Sequence, residues 1–160
     1  MGNESTNQRW LERAVELATV NAASGAGGPF GAVIVRDGAV IAEGANSVVR
    51  TADPTAHAEV VAIRNAASVL ATHDLSGCEL FASCEPCPMC LGAILWARID
   101  AVYFAATQSD AAAAGFDDSL FYDQFRKPAA ERIVPMRQQS VRDPARPFTA
   151  WKSYSGKVAY

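Results

Sequence analysis

Two short strings hold the side chains of this 160-residue chain with the most chemistry to offer: His57-Ala58-Glu59 and, about thirty residues later, Pro86-Cys87-Pro88-Met89-Cys90. Cys87 and Cys90 stand three apart, so on a helix they share a face. In a first turn, the positive end of the helix dipole favours their thiolate forms. A neutral His57 imidazole supplies a third ligand. Two thiolates cancel the charge of Zn²⁺, and three protein ligands leave the fourth tetrahedral position open to water, which separates a catalytic zinc from a structural one. The S₂N donor set favours zinc among the divalent metals. Zinc lowers the pKa of that water toward neutrality. Glu59, two residues past His57, points elsewhere around the helix, so it can take the water's proton and pass it on without entering the metal shell.

The same residues admit other uses. Cys84-Glu85-Pro86-Cys87 is also a C-x-x-C and would suit a redox pair, though that leaves His57 and Glu59 without a role. With Cys84 as a fourth ligand, the zinc would be closed and structural. Cys78 reads as an ordinary buried thiol and His73 as a surface residue.

The elements that must carry these groups follow from periodicity. Leu11, Ala14, Val15, Leu17 and Ala18 give Trp10 to Ala23 a helical stripe, broken by the glycines between Ser24 and Gly28. Phe30 to Val35 and Ala39 to Glu43 flank Arg36-Asp37-Gly38, a hairpin signal. Asp53-Pro54-Thr55 supplies a cap and an early proline, which predicts a helix from there to Leu70. Cys78 to Ser83 reads as a strand, Pro88 to about Ala97 as a helix and Ala101 to Ala105 as the next strand. A short helix over Asp110 to Ala114 and helical pieces over Phe116 to Phe125 and Phe148 to Tyr154 complete the chain. This order predicts an α/β fold, a three-layer α/β/α sandwich with a mixed central sheet. The motif residues fall at helix starts, on the edge of such sheets that binds ligands.

Length and composition bound the rest. One hundred and sixty residues, half of them hydrophobic and 19% charged, suit one globular domain. The net charge is −3, with no basic stripe for nucleic acid, so the expected substrate is small. No apolar run is long enough for a bilayer, and Met1 to Gln8 lacks a signal-peptide core. Three cysteines within seven residues point to metal chemistry in a reducing compartment, hence the cytoplasm.

The pattern H-x-E with P-C-x-x-C is that of zinc-dependent deaminases. The sequence resembles the cytidine and deoxycytidylate deaminase superfamily over nearly its whole length. Within it, the chain is similar to the small bacterial guanine deaminases. The resemblance is carried by Gly27 to Val35, Asp53 to Val60 and Ser83 to Ile94. For the substrate it is carried by Asp110 to Ser119, Pro147-Phe148, Ala150-Trp151 and Tyr160. It implies a cytidine deaminase-like fold, one Zn²⁺ per chain and hydrolysis of guanine to xanthine and ammonia. A related base, nucleoside or aminated heterocycle is the alternative substrate. The resemblance also implies Asn46, Asp118 and Tyr160 as base contacts, Phe30 and Trp96 as pocket walls, the Ala58 amide as an oxygen contact and Asp118 as a second proton carrier. It implies a homodimer in which a tail, about residues 128–160, crosses to the other subunit so that Tyr160 closes the neighbour's pocket. Without the resemblance, Asn46 reads as a turn residue, Asp118 as a helix cap, and Phe30 and Trp96 as core.

Overall fold

A hairpin begins the sheet. β1 (Gly31–Arg36) and β2 (Ala39–Ala45) pair antiparallel, with Arg36 opposite Ala39. The two intervening residues, Asp37 and Gly38, have φ of 52° and 74°, the left-handed pair a two-residue hairpin turn requires. β3 (Cys78–Cys84) runs antiparallel to β1 on its other side, and β4 (Ala101–Ala106) lies parallel to β3. The sheet order is β2-β1-β3-β4. The computed structural model describes residues 2–159, with side chains from Asn7 to Ala159.

The alternation of β1 builds the layers, because successive side chains leave opposite faces of a strand. Val33 and Val35 face α1 (Gly2–Ala23) and pack with Trp10, Ala14 and Phe81. Ala32 and Ile34 belong to the second core, with Ala58, Ala62 and Ala66 of α3 (Ala58–Leu70) and Ile94 of α4 (Pro88–Trp96). The mixed sheet thus lies between helical layers, as the order of elements predicted. No helix among the described residues is long and apolar enough to cross a membrane.

The backbones of α3 and β2 approach closely. A Cβ on Gly44 would overlap the carbonyl oxygen of Ala58 and the amide of Ala62. Only glycine on the strand and a small-residue face on the helix permit that approach. It seats the start of α3, where the first motif lies.

Several boundaries differ from the sequence expectation. α3 starts at Ala58, not at Asp53. Asp53 caps a turn instead: its Oδ1 accepts from the Thr55 amide at 2.8 Å and the Thr55 hydroxyl at 2.7 Å, while Arg64 holds its Oδ2 at 3.1 Å. A four-residue helix, α2 (Val48–Thr51), precedes that turn. α5 (Gln108–Ala113) starts two residues earlier than the alanine run suggests, because Thr107 and Asp110 form a reciprocal capping box.

The chain divides into two compact units, Met1–Asp118 and Ser119–Tyr160. The second holds α6 (Ser119–Arg126) and α7 (Arg146–Ser153), and none of its described residues is buried.

Candidate metal centre and base pocket

His57 is the N-cap of α3 and Cys87 the N-cap of α4, both in extended backbone. Pro88 follows as the first helical residue of α4, where its missing N–H costs nothing and its fixed φ suits the helix. Cys90 follows one turn into α4 and is fully buried. Two helix starts therefore converge with their unsatisfied N–H groups and positive dipole ends on one point.

The ligand atoms of His57, Cys87 and Cys90 all lie within 4.8 Å of one another. His57 Nδ1 stands 3.6 Å from Cys87 Sγ and 3.5 Å from Cys90 Sγ. Zinc bonds of about 2.05 Å to nitrogen and 2.3 Å to sulfur, at a tetrahedral angle, put N and S about 3.6 Å apart. The three residues fit zinc as they stand. Cys84 is not part of the group; its thiol donates to the Thr107 carbonyl at 3.5 Å. That geometry removes the closed four-ligand site, and the His57 contacts remove the simple redox pair.

The electrostatics are those of a site prepared for a cation. A hydrogen bond from Cys90 holds the Cys87 thiol down to about 4, assisted by His57 and opposed by burial. The same bond, with burial, pushes Cys90 up. One thiolate beside one thiol is what adjacent sulfurs adopt alone, and a divalent cation displaces the second proton. Glu59 is 7% exposed. Burial raises its carboxyl above the ordinary value, offset in part by its own backbone N–H and, less, by Cys90, while the Cys87 thiolate adds to the rise. A carboxyl raised in this way holds a proton more readily than an ordinary carboxylate, which suits a group that must take a proton and return it.

The residues expected around a substrate divide into those gathered and those not. Asn46 is 8% exposed, and its Oδ1 accepts from the amides of Gly28 at 3.3 Å and Val48 at 3.4 Å. Its turn role is therefore real, and its amide nitrogen is the end left for other contacts. Asn21, which the sequence did not single out, donates to the carbonyls of Gly28 at 2.9 Å and Asn46 at 2.8 Å. Ala58 is fully buried as the first residue of α3, one of the positions whose N–H has no acceptor within the helix. Phe30 is half-buried against the α3 core and meets Phe116 edge to face, with centroids 5.0 Å apart. Phe116 was legible only as part of the family-like stretch from Asp110 to Ser119. Asp118 is half-buried and accepts from Gln108 Nε2 at 2.6 Å. Trp96 closes α4 with 68% of its surface exposed, so it is not core. Tyr160 lies outside the described residues. Cys78 is fully buried, as expected.

A three-layer α/β sandwich with one histidine, two cysteines and a buried glutamate at converging helix starts defines the zinc-dependent deaminase class. Residues 4–106 match the cytidine and deoxycytidylate deaminase zinc-binding region, and the chain belongs to that family. It is 54% identical to the guanine deaminase of Bacillus subtilis, over 96% of this chain and 99% of that one. The crystal structure of guanine deaminase from Bacillus subtilis superimposes with a TM-score of 0.94 at 55% identity, covering 96% of this chain and 98% of the other. By contrast, the tRNA-specific adenosine deaminase of Aquifex aeolicus is 49% identical over only 49% of this chain and 52% of its own length.

Proposed function

We infer that the protein is a zinc-dependent aminohydrolase that converts guanine and water to xanthine and ammonia. The observation that carries this is the ligand trio with buried Glu59 beside it, in a chain similar to a guanine deaminase along nearly its whole length. When bound, zinc acts as a Lewis acid that makes water a usable nucleophile near neutral pH. Glu59 takes one proton from the attacking water and gives it to a ring nitrogen as oxygen adds at C2; it then takes the remaining proton of that hydroxyl and delivers it to the departing amine. The tetrahedral carbon then collapses to the carbonyl of xanthine and releases ammonia.

Recognition of the base follows from its shape, flat and apolar on its faces and polar around its rim. Phe30 covers one face, with Phe116 bracing it; Trp96 is a second wall. The Ala58 amide donates to an oxygen. Asn46, with its oxygen engaged by Gly28 and Val48, turns its amide N–H groups to an acceptor on the rim. Asp118 accepts from the ring N–H or the 2-amino group and also serves as a proton carrier to the amine. The working form is a homodimer, in which the tail of one chain crosses to the other and Tyr160 closes the neighbour's pocket. That none of the second unit's described residues is buried supports this. Thiol ligands fit a reducing compartment, the cytoplasm.

A substrate panel tests the assignment. Ammonia release and xanthine absorbance are expected from guanine far above guanosine, cytosine, adenine and an aminotriazine. Equal or faster turnover of any of the others moves the substrate assignment to that sibling activity.

A further inference from the structure

Gln108, the first residue of α5, joins two parts of the site. Its backbone N–H donates to Glu85 Oε2 at 3.1 Å. Glu85 lies two residues before the ligand Cys87, and its own N–H donates to the Ala106 carbonyl at 2.9 Å. With the Cys84 thiol on the Thr107 carbonyl at 3.5 Å, the strand end leading into the ligand loop is laced to the start of α5. From that fixed base the Gln108 side chain reaches out, and its Nε2 donates to Asp118 Oδ1 at 2.6 Å. Asp118 needs such a hold. It sits in an irregular stretch after Gly115, whose φ is +92°, and its neighbours Phe116 and Asp117 are exposed.

We propose that Gln108 is the positioning residue for Asp118, tying its carboxylate to the loop that carries the metal ligand Cys87. The inference rests on Asp118 being a guanine contact. An amide suits the task for two reasons. It occupies one acceptor site of a carboxylate that has about four, leaving the others for the N–H groups of the base. Being neutral, it holds the carboxylate without cancelling the charge the base is to meet. Holding a reacting partner in place before substrate arrives is a substantial source of rate.

The test is a cycle of Q108L, D118A and the double variant in the zinc-loaded full-length enzyme, read as kcat and KM for guanine, zinc content and melting temperature. Q108L is expected to lower kcat/KM about tenfold. The loss falls in whichever parameter D118A affects, with zinc unchanged and the double variant no worse than D118A alone. Q108N, polar but one methylene short of the carboxylate, gives a similar loss. An impaired D118A with Q108L and Q108N within twofold of wild type overturns the positioning role alone, as does a double loss equal to the product of the single ones. Unchanged kinetics in D118A overturns the reading of Asp118 and the positioning role with it.

Discussion

Cys84 and Cys87 differ less in type than in direction. Cys84 is the last residue of a strand and spends its thiol on the Thr107 carbonyl, whereas Cys87 caps a helix and faces His57. Metal analysis should reflect that difference. Cys87→Ser and Cys90→Ala are expected to lose both zinc and turnover, while Cys84→Ala keeps about one zinc per chain. A stoichiometric requirement for Cys84 would restore a closed structural site. Glu59 carries a separate prediction. Glu59→Gln preserves size but cannot move a proton, so it should retain zinc and lose ~10²–10⁴-fold in kcat. Retention of more than about a tenth of the rate would end its role as proton carrier.

The elements place these residues through close backbone packing and a few polar ties. Gly44→Ala puts a methyl group against the carbonyl of Ala58, so α3 must move from β2. Overpacking of this kind costs about 1–3 kcal/mol, and here it also displaces His57 and Glu59. A lower melting temperature together with weakened zinc binding is expected; a stability loss with unchanged zinc affinity would separate the packing from the site. On the other face, Arg13 of α1 grips Glu43 of β2 through both carboxylate oxygens, at 2.7 and 2.9 Å. The Arg13 hydrogen bond holds the Glu43 carboxyl below its free value of 4.5. Stability from a depressed carboxyl is present above the unfolded value and lost as pH falls through the folded one. Both partners are partly exposed, at 41% and 32%, so the coupling is about 1 kcal/mol or less. Urea unfolding of wild type and Glu43→Gln should therefore differ near neutral pH and converge in acid; a difference that grows in acid contradicts the pairing.

For the molecule as a whole, the second unit poses the main question. Phe125 and Phe148 are 67% and 68% exposed, Trp151 and Tyr154 44% and 60%, in a segment with no buried described residue. Phe148 and Trp151 stand three apart on α7, with Tyr154 in extended backbone just past its end, and such an apolar surface needs another to cover it. In the proposed homodimer a second copy of the chain would meet that need, and light scattering should then give the mass of a dimer. Deleting Val158 to Tyr160 removes little apolar surface, so folding and zinc should persist while catalysis falls. Mixing this truncation with Glu59→Gln distinguishes the donor of the tail. In a crossed dimer, one site regains both an intact Glu59 and an intact Tyr160, and activity returns. No recovery despite proven subunit exchange would mean that the tail serves its own pocket.

The metal chemistry was readable from the sequence because it depends on neighbours along the chain. A three-residue spacing and a proline fix Cys87 and Cys90 on one helix start, and a two-residue spacing holds Glu59 near His57 yet outside the ligand set. The hairpin was readable for a similar reason, since Asp37-Gly38 suits left-handed backbone that few other residues accept. Where α3 begins was not readable, because Asp53 satisfies a helix cap and a turn equally well, and one partner that holds the turn, Arg64, lies eleven residues on. The ties of Gln108 to Glu85 and Asp118, of Phe116 to Phe30, and of Asn21 to Asn46 have no signature along the chain. They join segments ten to eighty-six residues apart in the sequence. The chain by itself determined which atoms can hold the metal and move the proton, through local helix geometry. Only the tertiary structure decided that Cys84 faces away, that Asn46 offers its amide nitrogen, and that Asp118 is held to the metal loop, because each depends on which distant backbone the fold brings alongside.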